Sequence, residues 1–397
     1  MEPRLIAEDV YWVGVNDRVK KLFEAMWPIP DGVSYNSYLV AGSSSVALID
    51  TVEEAFAEEY IRRVKRIVGD LSRIKYIIAN HLEPDHHGAI HYILQHLPEA
   101  RVVVSQVAEK LIGSLYRIPR EKILVVREGD TIDLGGKTLR FIYTPWIHWP
   151  ETMMTYLDEH KILFSCDAFG SYRALERGLF DDEVAIELYL SEAKRYFSNI
   201  VAKYTRNVLS ALEKLRKLQI EIIAPSHGPV YRRYVSRIIS LYERWSRPEP
   251  DKDKVVVVFA SMYGRGRELI HNVANRLREA GLRVSIHDIS ETHSSYVLAD
   301  LVDSYILLLQ YPTYDASLFP NAENLLYLLM IKEMGRGRNA AVINTFLWSP
   351  TSRHAVEMLR KAGFNIIEPV VETRSIPDEK SMHSVNKLIE AIISLAK

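Results

Sequence analysis

Cysteine is nearly absent: Cys166 is the one thiol in 397 residues, which excludes an intrachain disulfide and any rubredoxin-like pair of Cys-x-x-Cys motifs within them. A chain so poor in cysteine is expected in a reducing cytoplasm. Neither sign of charge is in excess. Fifty basic residues face fifty-one acidic ones, so the net charge of -1 offers no electrostatic basis for binding nucleic acid or an anionic membrane. Long apolar runs are also missing. Val255 to Ala260 and Ile306 to Leu309 are strand-sized, far below the ~20 residues of a membrane helix, and no signal peptide or anchor is visible. Small molecules and other proteins are left as the expected partners.

The composition that remains is ordinary for a globular protein, and the chain is too long for a single core, so two domains are expected. Through residue 248, short strands and helices mix. Ile74 to Ile78 is a buried strand running straight into Asn80-His81, and Ser191 to Leu218 is a long helical stretch. Arg247 to Lys254 is polar, holds two prolines and lacks periodicity, which predicts an interdomain linker. From Lys254 to the end, β-branched runs alternate with amphipathic helices. That pattern predicts a doubly wound parallel sheet over 254–397, with a ligand beyond the carboxyl ends of its strands.

Chemistry concentrates in His81-Leu82-Glu83-Pro84-Asp85-His86, four potential ligands in six residues. If the segment is extended, alternate residues share a side, so His81 and Glu83 serve one ion while Asp85 and His86 turn to a second. His148, Asp167 and His227 each follow an apolar strand and end in a turn, where a rigid scaffold delivers them to one edge. These seven residues are the candidate ligands of a two-metal site. His87 and His91 are expected to support it or lie on the surface, and Cys166 to be a small core residue.

These segments resemble those of the flavodiiron proteins: His81 to His86 followed by Gly88, His148 to Met153, Leu163 to Gly170, and Ser226 to Pro229. The resemblance implies a metallo-β-lactamase-like αββα sandwich over residues 1–248, followed by a flavodoxin-like domain. It implies one iron held by His81, Glu83 and His148, another by Asp85, His86 and His227, and Asp167 bridging them. Glu83 separates this pattern from the hydrolytic His-x-His-x-Asp-His motif. A carboxylate makes the donor set harder and more anionic, which favours iron over zinc and redox chemistry over hydrolysis.

The same resemblance implies FMN in three loops: Ser261-Met262-Tyr263-Gly264-Arg265-Gly266, then Pro312-Thr313-Tyr314-Asp315, then Thr345-Phe346-Leu347-Trp348. Arg265-Gly266 stands where an Asn-Thr or Ser-Thr pair is usual, so a hydroxyl donor is lost, and Arg265 and Arg267 are expected to compensate by charge. Leu347 replaces a usual glycine. Tyr196 and Trp348 are the candidate catalytic pocket residues, with Trp146 and Trp149 beside them. The activity implied is reduction of O2 to water, of NO to N2O, or both, with electrons arriving through FMN from an external rubredoxin-like protein. A head-to-tail homodimer, or a dimer of dimers, is implied as well. The rival readings are a zinc hydrolase of metallo-β-lactamase fold fused to a flavodoxin-like domain, and a non-catalytic electron-transfer module.

Overall fold

A computed structural model describes residues 1–374 and 377–397, which form two compact units, Met1–Glu243 and Arg244–Lys397. The first holds two facing sheets. One has seven strands in the order Arg4–Ala7, Val10–Trp12, Tyr38–Ala41, Val46–Ile49, Ile74–Ile78, Arg101–Ser105 and Ile123–Val126. The other has five: Thr131–Asp133, Thr138–Tyr143, Met153–Leu157, Ile162–Cys166 and Ile222–Pro225. Trp12, Tyr38, Ile49, Ile78 and Val103 of the first sheet share a core with Phe141, Met153, Leu157, Phe164 and Ala224 of the second. Helices such as Ala57–Val68, which buries Tyr60, Ile61 and Val64, provide further apolar cover. Inner strands are therefore buried on both faces and read as unbroken apolar runs rather than alternating ones.

Ile162–Cys166 and Ile222–Pro225 are parallel neighbours, so Asp167 and His227 leave the sheet at the same end. His148 lies in the loop joining the antiparallel strands Thr138–Tyr143 and Met153–Leu157. The backbone N–H of Met153 donates to the Asn80 carbonyl at 2.9 Å, tying that loop to the one carrying His81.

Two local expectations are corrected. Pro84–His87 is a helical turn rather than extended chain, begun by a proline whose missing N–H costs nothing in the first turn, and closed by Gly88 N–H on the Pro84 carbonyl at 2.6 Å. The stretch expected as one long helix is divided: Ile186–Tyr196 is α-helical, Phe197–Val201 widens into a π-turn, and an α-helix resumes at Thr205–Leu215. Widened turns of this kind accompany functional sites, and this one directly follows Tyr196.

In the second unit the strands Arg283–Asp288, Asp251–Phe259, Ser304–Pro312, Asn339–Phe346 and Val371–Arg374 are parallel neighbours in that order. The first of these strands in the sequence starts at Asp251, inside the segment expected to be linker. Arg283 of the adjacent strand grips Asp251 and Asp253 at 2.8 and 2.7 Å, so an ionic ladder extends pairing where apolar residues run out.

Arg338, buried at the start of a central strand, donates to the carbonyls of Leu301, Val302, Ser304, Met334 and Arg336. Arg338→Met would leave these acceptors unpaired in the interior. The expected loss is on the order of 3 kcal/mol, read as a lower denaturant midpoint for the second unit with the first unit's transition unchanged.

Candidate metal centre and flavin cleft

All seven candidate ligands converge, and Asp167 lies between two groups of them. Its Oδ2 faces His81 Nε2 at 3.6 Å and His148 Nε2 at 3.5 Å, while its Oδ1 faces His86 Nε2 at 3.1 Å and His227 Nε2 at 3.3 Å. On the first side Glu83 Oε2 approaches His148 Nε2 at 2.9 Å and His81 Nε2 at 3.2 Å. On the second, Asp85 reaches His86 Nε2 and His227 Nε2 at 3.3 Å each. Some of these atoms pair directly, yet the set as a whole converges on two shared volumes and leaves several atoms unpaired. Both carboxylate oxygens of Asp85, Oδ2 of Asp167 and Nε2 of His227 are buried without a hydrogen-bond partner.

Orphaned buried acceptors of this kind are costly, and cations between them remove the cost. A cluster of imidazoles and carboxylates with Asp167 Oδ2 toward one side and Oδ1 toward the other suits a pair of divalent or trivalent ions with N/O preference. The charge balance agrees. Burial alone would lower the His148 imidazole, yet the nearby Asp167 and Glu83 carboxylates carry it up to about 9, and contacts with Asp167 and Asp85 take buried His227 to about 10. Burial would raise the Asp167 carboxyl, but the imidazoles of His86, His148 and His227 hold it well below its usual range. Without metal, then, the carboxylates draw protons onto the histidines to supply the positive charge the site lacks.

Supporting bonds fix the ring orientations. His227 Nδ1 lies 2.7 Å from the Ser34 carbonyl, which can only accept, so Nδ1 carries the proton and Nε2 is free to ligate. His81 Nδ1 is held at 2.7 Å by Glu151, a buried carboxylate that also accepts from the Leu82 backbone N–H. Glu151 stands inside the quoted motif, but its role was not legible, because only the folded loop brings residue 151 to residue 81. Tyr196, kept protonated by burial and by the neighbouring Asp167, donates its hydroxyl to Asp167 Oδ1 at 2.8 Å. His87 is buried against Asp50 at 3.3 Å, His91 is exposed, and burial pushes the Cys166 thiol well above its ordinary value. Trp149 packs edge-on against His81 at 4.9 Å, whereas Trp146 lies tilted against Tyr204 and is 44% exposed.

A cleft in the second unit opens at the carboxyl ends of three adjacent strands. It is lined by Ser261, Met262, Tyr263, Arg265 and Gly266, by Pro312 and Thr313, and by Thr345, Phe346, Leu347 and Trp348. The helix Arg265–Glu279 begins at the same loop, with Gly264 at φ +83, so the backbone N–H groups of its first turn are available to an anion. Gly264, Tyr314 and Asp315 are outside the lining, and the Tyr314 ring rests edge-on against Phe319. Arg267 is corrected: it pairs with Asp288 at 2.7 Å, so of the two arginines only Arg265 lines the cleft.

Glu151→Ala is expected to lower the affinity of the apoprotein for a divalent probe such as Co(II) by roughly 10–100-fold, because His81 loses the acceptor that orients it. Glu151→Gln, which still accepts at Nδ1, should recover most of that loss in the same titration.

A family model described as ODP family beta lactamase matches residues 33–228. The coenzyme F420H2 oxidase of Methanothermobacter marburgensis is 32% identical over 371 residues, covering 91% of this chain and 91% of that protein. A nitric oxide reductase of Moorella thermoacetica is 32% identical over 82% of this chain and 81% of its own length. A variant of the flavo di-iron protein from Thermotoga maritima superposes with a TM-score of 0.91 at 31% identity, covering 100% of this chain and 99% of that one. With relatives at this identity over almost its full length, the chain belongs to the flavodiiron protein family and is a di-iron, flavin-dependent oxidoreductase.

Proposed function

We propose that this protein reduces O2 to water, NO to N2O, or both, at a di-iron centre held by His81, Glu83 and His148 on one side and by Asp85, His86 and His227 on the other, with Asp167 shared. The observation that carries the reading is the division of the Asp167 carboxylate, one oxygen toward each group. When bound, two irons and FMN would supply the electron transfer and the open coordination positions that a diatomic substrate needs. Glu83, standing where an imidazole would suit zinc, supports iron.

The protein's own part is positional. Glu151 and Ser34 aim two imidazoles, and Tyr196 holds a proton on Asp167 Oδ1, drawing charge from that oxygen. At the flavin cleft, Arg265 and the first-turn N–H groups would hold the phosphate, and Thr313, Thr345 and the backbone around Leu347 would border the ring. Tyr263, Leu347 and Trp348 are 91%, 60% and 74% exposed at its rim. Apolar side chains so exposed support a cover supplied by a second copy, in a head-to-tail homodimer or a dimer of dimers. The electrons would come from a donor protein of the rubredoxin type. We place the protein in the cytoplasm; no helix among the described residues is long and apolar enough to cross a membrane.

Elemental analysis of purified protein is expected to find iron, near two per chain, with anaerobic O2 or NO consumption driven by an artificial donor. Asp167→Ala and His148→Ala should abolish consumption while flavin stays bound. Zinc with esterase activity instead would favour the hydrolase. The protein should be yellow, with absorption near about 450 nm from the flavin itself. Arg265→Ala should weaken FMN binding by at least about tenfold in a fluorescence titration, the equivalent of ~1.4 kcal/mol. A colourless protein that takes up no FMN would overturn the flavin assignment.

A further inference from the structure

The seven candidate ligands form a nearly closed set, which raises the question of how a hydrated cation reaches it. The side chains of His81, His86, Asp167 and His227 are at most 1% exposed, whereas Glu83 retains 13% and His148 8%. Beside these two stands an acidic residue outside every motif quoted above. A ligand atom of Glu24 lies within 4.8 Å of one from Glu83 and one from His148, and Glu24 itself is exposed.

Its position is built. Glu24 and Ala25 turn the hairpin between the paired strands Leu22–Phe23 and Trp27–Pro28, both with left-handed backbone, φ +49 and +56. The indole N–H of buried Trp27 donates to Glu24 Oε2 at 3.0 Å. Phe23, on the same hairpin, packs edge-on against the His227 and Tyr196 rings at 5.3 and 5.9 Å, which anchors the turn to the centre.

We propose that Glu24 is the entry carboxylate of the metal centre: with Glu83 and His148 it forms an outer station where an incoming divalent cation exchanges part of its water shell for protein ligands before moving inward. The inference rests on the di-iron reading. Hard divalent ions bind carboxylates while still partly hydrated, so a trio of two carboxylates and one imidazole with exposed Glu24 at its mouth can accept an ion that the closed inner set cannot take directly. Two carboxylates at one opening also attract cations and speed their capture.

The test is metal uptake by full-length apoprotein, followed by stopped-flow absorbance with Co(II) and, anaerobically, Fe(II). Glu24→Gln, which can still accept the Trp27 N–H, is expected to load about tenfold more slowly while reaching the same final stoichiometry and flavin content. Added salt should slow the wild type more than the variant. Wild-type loading rates in Glu24→Gln would overturn the proposal. So would a final content one ion short, because Glu24 would then be a resident ligand. Failure of the wild-type apoprotein to take up either ion would instead overturn the di-iron reading beneath it.

Discussion

The structure of the first unit turns on one buried carboxylate. Asp167 sits at zero exposure among four imidazoles, a position that would be prohibitive for an isolated anion and is tolerable only with positive charge on both sides. Everything nearby serves that need. Two parallel strands bring Asp167 and His227 out at one sheet end, and the facing sheet delivers His81 from its own strand end. The apolar sandwich behind supplies the stability that a cluster of mutually repelling acids cannot supply for itself.

Rigid delivery also depends on groups that never face the centre. Asn36 donates to the carbonyls of Pro225 and Gly228 at 2.9 and 2.8 Å and accepts from Trp12 Nε1, which clamps the turn carrying His227. Gly228 completes that turn at φ +79, with Ser171 so near that no side chain fits. Asp50 receives the backbone and side-chain N–H groups of Asn80 and touches His87, fixing both ends of the ligand-rich segment. These contacts hold the two ligand-bearing segments in place before metal arrives, so that binding need not order their backbone.

Much of this was legible in the sequence, for identifiable reasons. Ligands clustered after apolar strands declare themselves, because strand ends are where a rigid scaffold presents polar groups; His81, Asp167 and His227 were found that way. Glu24 and Glu151 were not, since residues distant in sequence meet Glu83 and His81 only through the tertiary fold. The π-turn after Tyr196 leaves no mark in the sequence, because helical segments flank it on either side. The strand start at Asp251 was hidden by its charges: Arg283, which neutralises them, is 32 residues away.

The altered flavin loop also reads differently in three dimensions. Losing a hydroxyl at position 266 looks like decay if the loop is taken alone. In the fold, a Cβ on Gly266 would meet the side-chain amide of Gln310 at 2.8 to 3.2 Å, so that amide occupies the space a larger residue would need. Gln310 is wholly buried, its Nε2 3.3 Å from Thr345 Oγ1 and its Oε1 without a partner. A decaying site has no reason to keep a buried amide against its helix start, where it costs more than an apolar residue. Gly266 and Gln310 are therefore a matched pair, and their fit, with Arg265 lining the cleft beside them, supports the phosphate-holding role proposed for this loop.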